Sequence, residues 1–126
     1  MAPQESDTSL NYVRVYTDAD KVTRFEDLDY RLVPTVFAPP APPVAVTDPM
    51  AASGVLFLRA PAGWSDPAHP APARQLVLVL SGEFEGTADG RSRRFSAGDV
   101  VLLEDTDGPG HGMHVVSDLL LAIVRV

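Results

Sequence analysis

The sequence contains no cysteine. That excludes a disulfide framework, a thiolate metal site and a cysteine nucleophile. It fits a reducing compartment, and a cytoplasmic location is the expectation. No stretch approaches the roughly 20 consecutive apolar residues that a membrane-spanning helix needs. The opening residues MAPQESDTSL carry neither a basic nor an apolar segment, so they do not read as a signal peptide. A helical period is missing throughout. Positive charge is also scarce: 10 Lys and Arg stand against 17 Asp and Glu, a formal net charge of −7. A chain this acidic is repelled by phosphate backbones, so no nucleic-acid partner is expected, and no membrane partner either. The basic cluster Arg91, Arg93 and Arg94 reads as the solvated surface of a hairpin.

What is present suffices for one core. Apolar residues make up 45% of 126 positions, the size of a single domain. Residues 1–10 read as a loose polar tail. Residues 11–126 read as one domain, with an N-terminal arm over 11–53 and a barrel over 54–126. Tyr12 to Tyr16 alternates as a strand should, Thr17 to Asp20 is a turn, and residues 22–33 pair back as a second strand. The segment from Ala38 to Pro43 is expected to be an extended, polyproline-like arm, because its prolines fix φ and remove backbone donors. From Gly54 onward strands and turns succeed one another: Val55 to Ala60, Gln75 to Leu80, a break at Ser81-Gly82, Glu83 to Ala88, the hairpin signal Asp89-Gly90, Arg91 to Phe95, Val100 to Leu103, Met113 to Val116, and Leu119 to Val126. Many short strands with evenly spaced turns argue for an all-β sandwich or barrel.

Within this pattern the punctuation is specific. Gly63 is followed by five residues and then His69; Gln75 comes next, and six residues later Gly82. Further on, Gly98-Asp99 opens a segment that reaches His111 through a glycine-rich loop. The first stretch resembles the first cupin motif, glycine, five residues, His-x-His, three or four residues, Glu, six residues, glycine. The second resembles the second cupin motif, with its histidine displaced by two extra loop residues. The resemblance covers 54–126 and implies a cupin double-stranded β-helix, a jelly-roll barrel with a cavity for a small molecule. Among small single-domain cupins the likeness extends to polyketide cyclases and other natural-product tailoring proteins.

The chain departs from the metal-binding pattern. Ala71 stands where the second histidine belongs, Gln75 where the glutamate belongs, and Glu104-Asp105-Thr106 replaces Pro-x-Gly. The resemblance therefore leaves His69, Gln75 and His111 as a reduced ligand set, so the expected cofactor is none or a single divalent zinc, iron or nickel ion.

The residues also carry their own reading. Side chains alternate along a strand, so if Gln75 points inward then Val77 and Val79 do too, and Leu76, Leu78 and Leu80 face out. That outer stripe needs cover, either from residues 12–37 or from a second copy, which makes a homodimer the expectation. His69, between Pro67 and Pro70, would by itself be an ordinary loop histidine; its spacing to Gln75 and Gly82 moves it to the pocket. Gln75 is a pocket group or a strand-start cap. Trp64 walls the pocket or simply packs. Phe57 is a substrate contact or, with Tyr30 and Phe84, core. Glu104 and Asp105 cap the loop or place a carboxylate at the barrel mouth. His114 reads as structural.

The function expected from these residues is a small-molecule enzyme of the cyclase, isomerase or dehydratase type. His69 and His111 would be its acid and base, and Gln75 a donor to a developing oxyanion. Substrate contacts would come from Trp64, Val77, Val79, Phe57 and Glu104. A metal-dependent dioxygenase and a non-catalytic ligand-binding or sensing module are the alternatives.

Overall fold

The computed structural model of the chain describes residues 8–126. Most of the expected tail, residues 1–7, lies outside the described residues. Ser9 and Leu10 already belong to the first strand, so the folded part starts earlier than expected. Among the described residues there is no α-helix, and so none long and apolar enough to cross a membrane.

β1 (Ser9–Thr17) pairs antiparallel with β2 (Thr23–Arg31). Asp18 holds the turn between them: its Oδ1 accepts from the backbone N–H of Asp20 and of Val22. β3 (Val33–Thr35) and β4 (Val44–Val46) form a separate two-stranded sheet. The proline segment between them is therefore a reversal and not the extended arm that its composition suggests. Ala41 N–H donates to Ala38 C=O within it, and the Pro39–Pro40 peptide is cis.

The remaining strands are β5 (Gly54–Ala60), β6 (Ser65–His69), β7 (Gln75–Ala88), β8 (Arg91–Ser96), β9 (Val100–Leu103) and β10 (His111–Arg125). β7 and β10 are long and pair with each other along their length. The first half of β7 and the second half of β10 belong to a layer ordered β2-β1-β9-β7-β10-β5. The other halves pair with β8 and β6. One eight-stranded sheet thus folds over on itself, as in a jelly-roll barrel. Ser81-Gly82 does not end a strand, as expected, but bends one. The register of β10 shifts opposite it, between Val115 and Leu121.

Gly82 makes that crossing possible. Its φ is 84°, and a Cβ built there would lie 2.0 Å from the carbonyl oxygen of Asp118. Only a residue without a side chain fits. Beside the crossing, Val115 and Leu119 are completely buried; each such side chain contributes roughly 1.5–3 kcal/mol. The core between the layers joins Val13, Val15, Val77, Val79 and Val101 to Phe84, Phe95 and Leu121.

Alternation then sorts the side chains. On β7, Gln75, Val77 and Val79 are buried on the inner face; of the outward leucines, Leu76 is buried, Leu78 half-buried and Leu80 exposed. β1 and β2 extend the sheet edge to edge, so they are not the lid over this stripe that they could have been.

Candidate functional site

A cavity of about 290 Å3 opens between the two layers. Its walls are mostly apolar: Val15, Phe25, Leu56, Leu58, Val77, Phe84, Phe95, Val101, Leu103, Met113, Leu121 and Ile123. At the end away from the Gly82 crossing lie its polar groups, Asp66, His69, Gln75, His111 and Arg125, with Trp64 beside them.

Strand pairing brings the two histidines together. His69 ends β6 and sits opposite His111 at the start of β10, with ring centroids 5.7 Å apart. His69 is thus on an edge strand rather than in a loop, where Pro67 costs no ladder bond. Gly110 permits the close approach: a Cβ there would fall 1.9 Å from the carbonyl oxygen of His69.

Each histidine has its own carboxylate. His111 Nδ1 bonds Asp105 Oδ2 at 2.6 Å. Asp105 is completely buried, and its Oδ1 has no partner among the described residues. The bond to a buried acceptor places the proton on Nδ1 and leaves the Nε2 lone pair free, since Nε2 has no hydrogen-bond partner among the described residues. His69 differs. Its Nδ1 bonds the Pro70 carbonyl at 2.9 Å and its Nε2 bonds Asp66 Oδ2 at 2.5 Å. Two acceptors favour a proton on each nitrogen, so the Pro70 bond first, and then Asp66, raise the pKa of His69.

That arrangement does not fit the reduced metal set. A ligating imidazole must offer a lone pair, and both His69 nitrogens are committed to acceptors. Among the described residues no group of three or more His, Cys, Asp and Glu side chains is placed to hold a metal ion.

The expected substrate contacts divide. Trp64 and Val77 line the cavity, with Gln75. Val79 is on the same face but packs in the core beyond the cavity. Phe57 is 69% exposed on the outer face, because its partner across β10 is Ala122, out of phase with Leu121 and Ile123; its neighbours Leu56 and Leu58 line the cavity instead. Glu104 is also outside. Arg14 and Arg74 both bond it, with Arg14 lying over the Tyr16 ring. Burial works to raise the pKa of Glu104, but the Arg74 and Arg14 bonds outweigh it and hold it below the usual range. Asp105, next in sequence, points the other way; it is completely buried behind the cavity wall, where it bonds His111, and is not at the mouth.

Asp66 and Arg125 are site residues that the sequence reading missed. Asp66 carried no signal of its own. Arg125 did: it continues the inward parity of Leu121 and Ile123 on one strand. His114 is exposed and bonds Ser65 Oγ at 2.7 Å on the outer side, a structural contact.

The inward histidines, the two layers sharing β7 and β10, and the motif glycines Gly63, Gly82 and Gly98, all at positive φ, decide the architecture. The chain has the cupin fold. No family model matches the sequence. Solved cupins are similar to it at low identity. An RmlC-like cupin protein from Desulfovibrio desulfuricans is 23% identical, with a TM-score of 0.46 over 56% of this chain and 67% of that one. A cupin 2 conserved barrel domain protein from Salinispora arenicola is 17% identical, with a TM-score of 0.46 over 100% of this chain and 87% of that one. Among curated proteins, an endoribonuclease YbeY from Myxococcus xanthus is 39% identical over 59 residues, 47% of this chain. The chain spans about a fifth of the length of that relative, 20%.

Proposed function

We propose that this cupin barrel is a proton-transfer enzyme acting on a small, largely apolar carbonyl compound, in the class of cyclisations, isomerisations and dehydrations. The observation that supports this most is the Asp105–His111 pair on the wall of an apolar cavity. The buried carboxylate orients the ring and stabilises the imidazolium that forms, as in other histidine–carboxylate pairs. His111 Nε2 takes a proton from the carbon next to the carbonyl. The electron pair left behind moves onto the carbonyl oxygen, where the amide N–H of Gln75 donates to it. Gln75 is buried against the cavity with no side-chain hydrogen bond among the described residues, so its donors are free. His69, with both ring nitrogens bonded to acceptors, does not serve as a second base. Apolar walls exclude water and strengthen these interactions.

Incubation with cyclic ketones and 1,3-dicarbonyl compounds in heavy water, followed by NMR, tests the step directly. The protein should accelerate deuterium exchange at the α-carbon, a chelator should leave the rate unchanged, and His111→Gln should lower it roughly 10²–10⁴-fold. Saturable binding without exchange would leave a ligand-binding module in place of an enzyme. Loss of exchange with chelator and rescue by a divalent ion would restore the metal reading.

A further inference from the structure

The cavity wall carries four charged side chains when His69 is protonated: Asp66, His69 and, at the mouth, Arg125, with Asp105 just behind His111. Three of them are accounted for. Asp66 is paired with His69 and Asp105 with His111. Arg125 has no ion pair and no side-chain hydrogen bond among the described residues; Arg31, Arg59 and Arg91 are unpaired too, but Arg125 is the one arginine of the chain that lines the cavity. An acidic protein that leaves a cavity-lining guanidinium without an acid has room there for an acid from elsewhere.

The position of Arg125 is set by pairing, not by a flexible tail. It is the last residue of β10, directly across from Gln75 on β7 and from Gly54 on β5. Its carbonyl accepts from Ser53 N–H, and Val126 N–H donates to Arg74 C=O, so the strand is tied on both sides. Directly opposed residues in an antiparallel pair have Cβ atoms about 4.5–5.5 Å apart. The free guanidinium and the free Gln75 amide therefore stand side by side on the inner face, and Gly54 contributes no side chain to crowd them. A planar fork of N–H donors matches a carboxylate.

We infer that the ligand of this cavity is a small carboxylic acid, held by Arg125 through its carboxylate, with an apolar body inside the barrel and Gln75 kept for an adjacent carbonyl oxygen. The volume, 290 Å3, is roughly ten water volumes at about 30 Å3 each. That suits a compact monoanion with an apolar body. The inference rests on reading the cavity as a small-molecule site and is independent of whether a proton is moved there.

Calorimetric titration with cyclohexanecarboxylate, benzoate and octanoate, each beside its neutral carboxamide, tests it on the full chain. At least one acid should bind about tenfold more tightly than its amide, the low end for a charge-assisted pair because Arg125 is partly in water. The preference should fall as salt is raised. In Arg125→Gln the acid should weaken to the level of the amide while the amide's own affinity and the melting temperature stay as in the parent. Equal binding of acid and amide to the parent, or a preference that survives Arg125→Gln, would overturn the inference while leaving the cavity a small-molecule site. No binding by any acid or amide at millimolar concentration would overturn both. Loss of deuterium exchange in the ketone assay, with acid preference intact, would overturn only the proton-transfer reading.

Discussion

Asp105 Oδ2 and His111 Nδ1 lie 2.6 Å apart, with the carboxylate completely buried and its other oxygen unpartnered among the described residues. The bond joins the loop after β9 to the first residue of β10. It fixes one tautomer of a histidine that would otherwise be free to turn. Asp105→Asn keeps the shape but lets the amide N–H donate to Nδ1, which moves the ring proton to Nε2 and removes the base. Deuterium exchange should then fall at least roughly 10²-fold, with far-ultraviolet circular dichroism unchanged. Exchange at the parent rate in a folded Asp105→Asn protein would mean that Asp105 does not orient the base.

The His69 pKa is raised by the Pro70 carbonyl and by Asp66. A group whose folded pKa exceeds its unfolded value stabilises the fold most below the unfolded pKa, near 6.5, and loses that contribution as pH rises through the folded value. The difference in urea midpoint between the parent and His69→Gln should therefore be largest in mildly acidic buffer and shrink above neutrality. The His69 ring protons should titrate by NMR with a midpoint above 6.5. A midpoint at or below that value would show that the two acceptors do not hold the proton.

Gly82 and Gly98 share positive φ but not surroundings. A Cβ at Gly82 would meet the Asp118 backbone at 2.0 Å, whereas one at Gly98 would meet nothing within 4 Å. Gly98→Ala should cost only the left-handed backbone term, about 1–2 kcal/mol. Gly82→Ala adds displacement of a strand in the core and should cost roughly 3 kcal/mol or more, or prevent folding. Urea unfolding of the two variants side by side gives the comparison; equal losses would show that β10 can yield at the crossing.

The outer face of the larger layer exposes Phe57, Val55 and Leu80, at 69%, 62% and 48%. They lie on β5 and β7, two strands apart across β10, so they form one apolar surface rather than isolated side chains. We expect self-association into a dimer through this face, as Leu80 already suggested in the sequence. Light scattering at micromolar concentration should give twice the chain mass, and Phe57→Asp should halve it without unfolding the protein. A monomeric parent would end this reading.

Much of the fold was legible because a strand's information is local. Apolar runs and alternation, bounded by Asp89-Gly90 and Ala97-Gly98-Asp99, mark β8, β9 and each half of β7 almost to the residue, but not that Ser81-Gly82 joins the two halves into one strand. Glycine positions gave the barrel, since a left-handed turn or a close backbone approach leaves a mark on the chain itself. Local reading failed where local chemistry was ambiguous. The prolines at 39–43 fix φ but not the direction of the chain, and the pairing of β3 with β4 turned the segment into a reversal.

The sequence by itself determined which residues alternate and where the chain must turn; it offered His69, Gln75 and His111 only as candidates, and all three line the cavity. The tertiary structure alone decided the parity of β5 and the partners of the histidines. Val55 to Leu58 is apolar on both faces, so nothing in it says whether Phe57 or its neighbours face inward; only pairing with Ala122 settles that. Glu104 and Asp105 are chemically alike and adjacent. In the loop that follows β9 their side chains diverge, the first to Arg14 and Arg74 and the second to His111. Arg125 and Gln75 are far apart in sequence and meet only through the β7–β10 register. Hydrogen-bonded register is a property of two strands at once, and a single strand does not contain it.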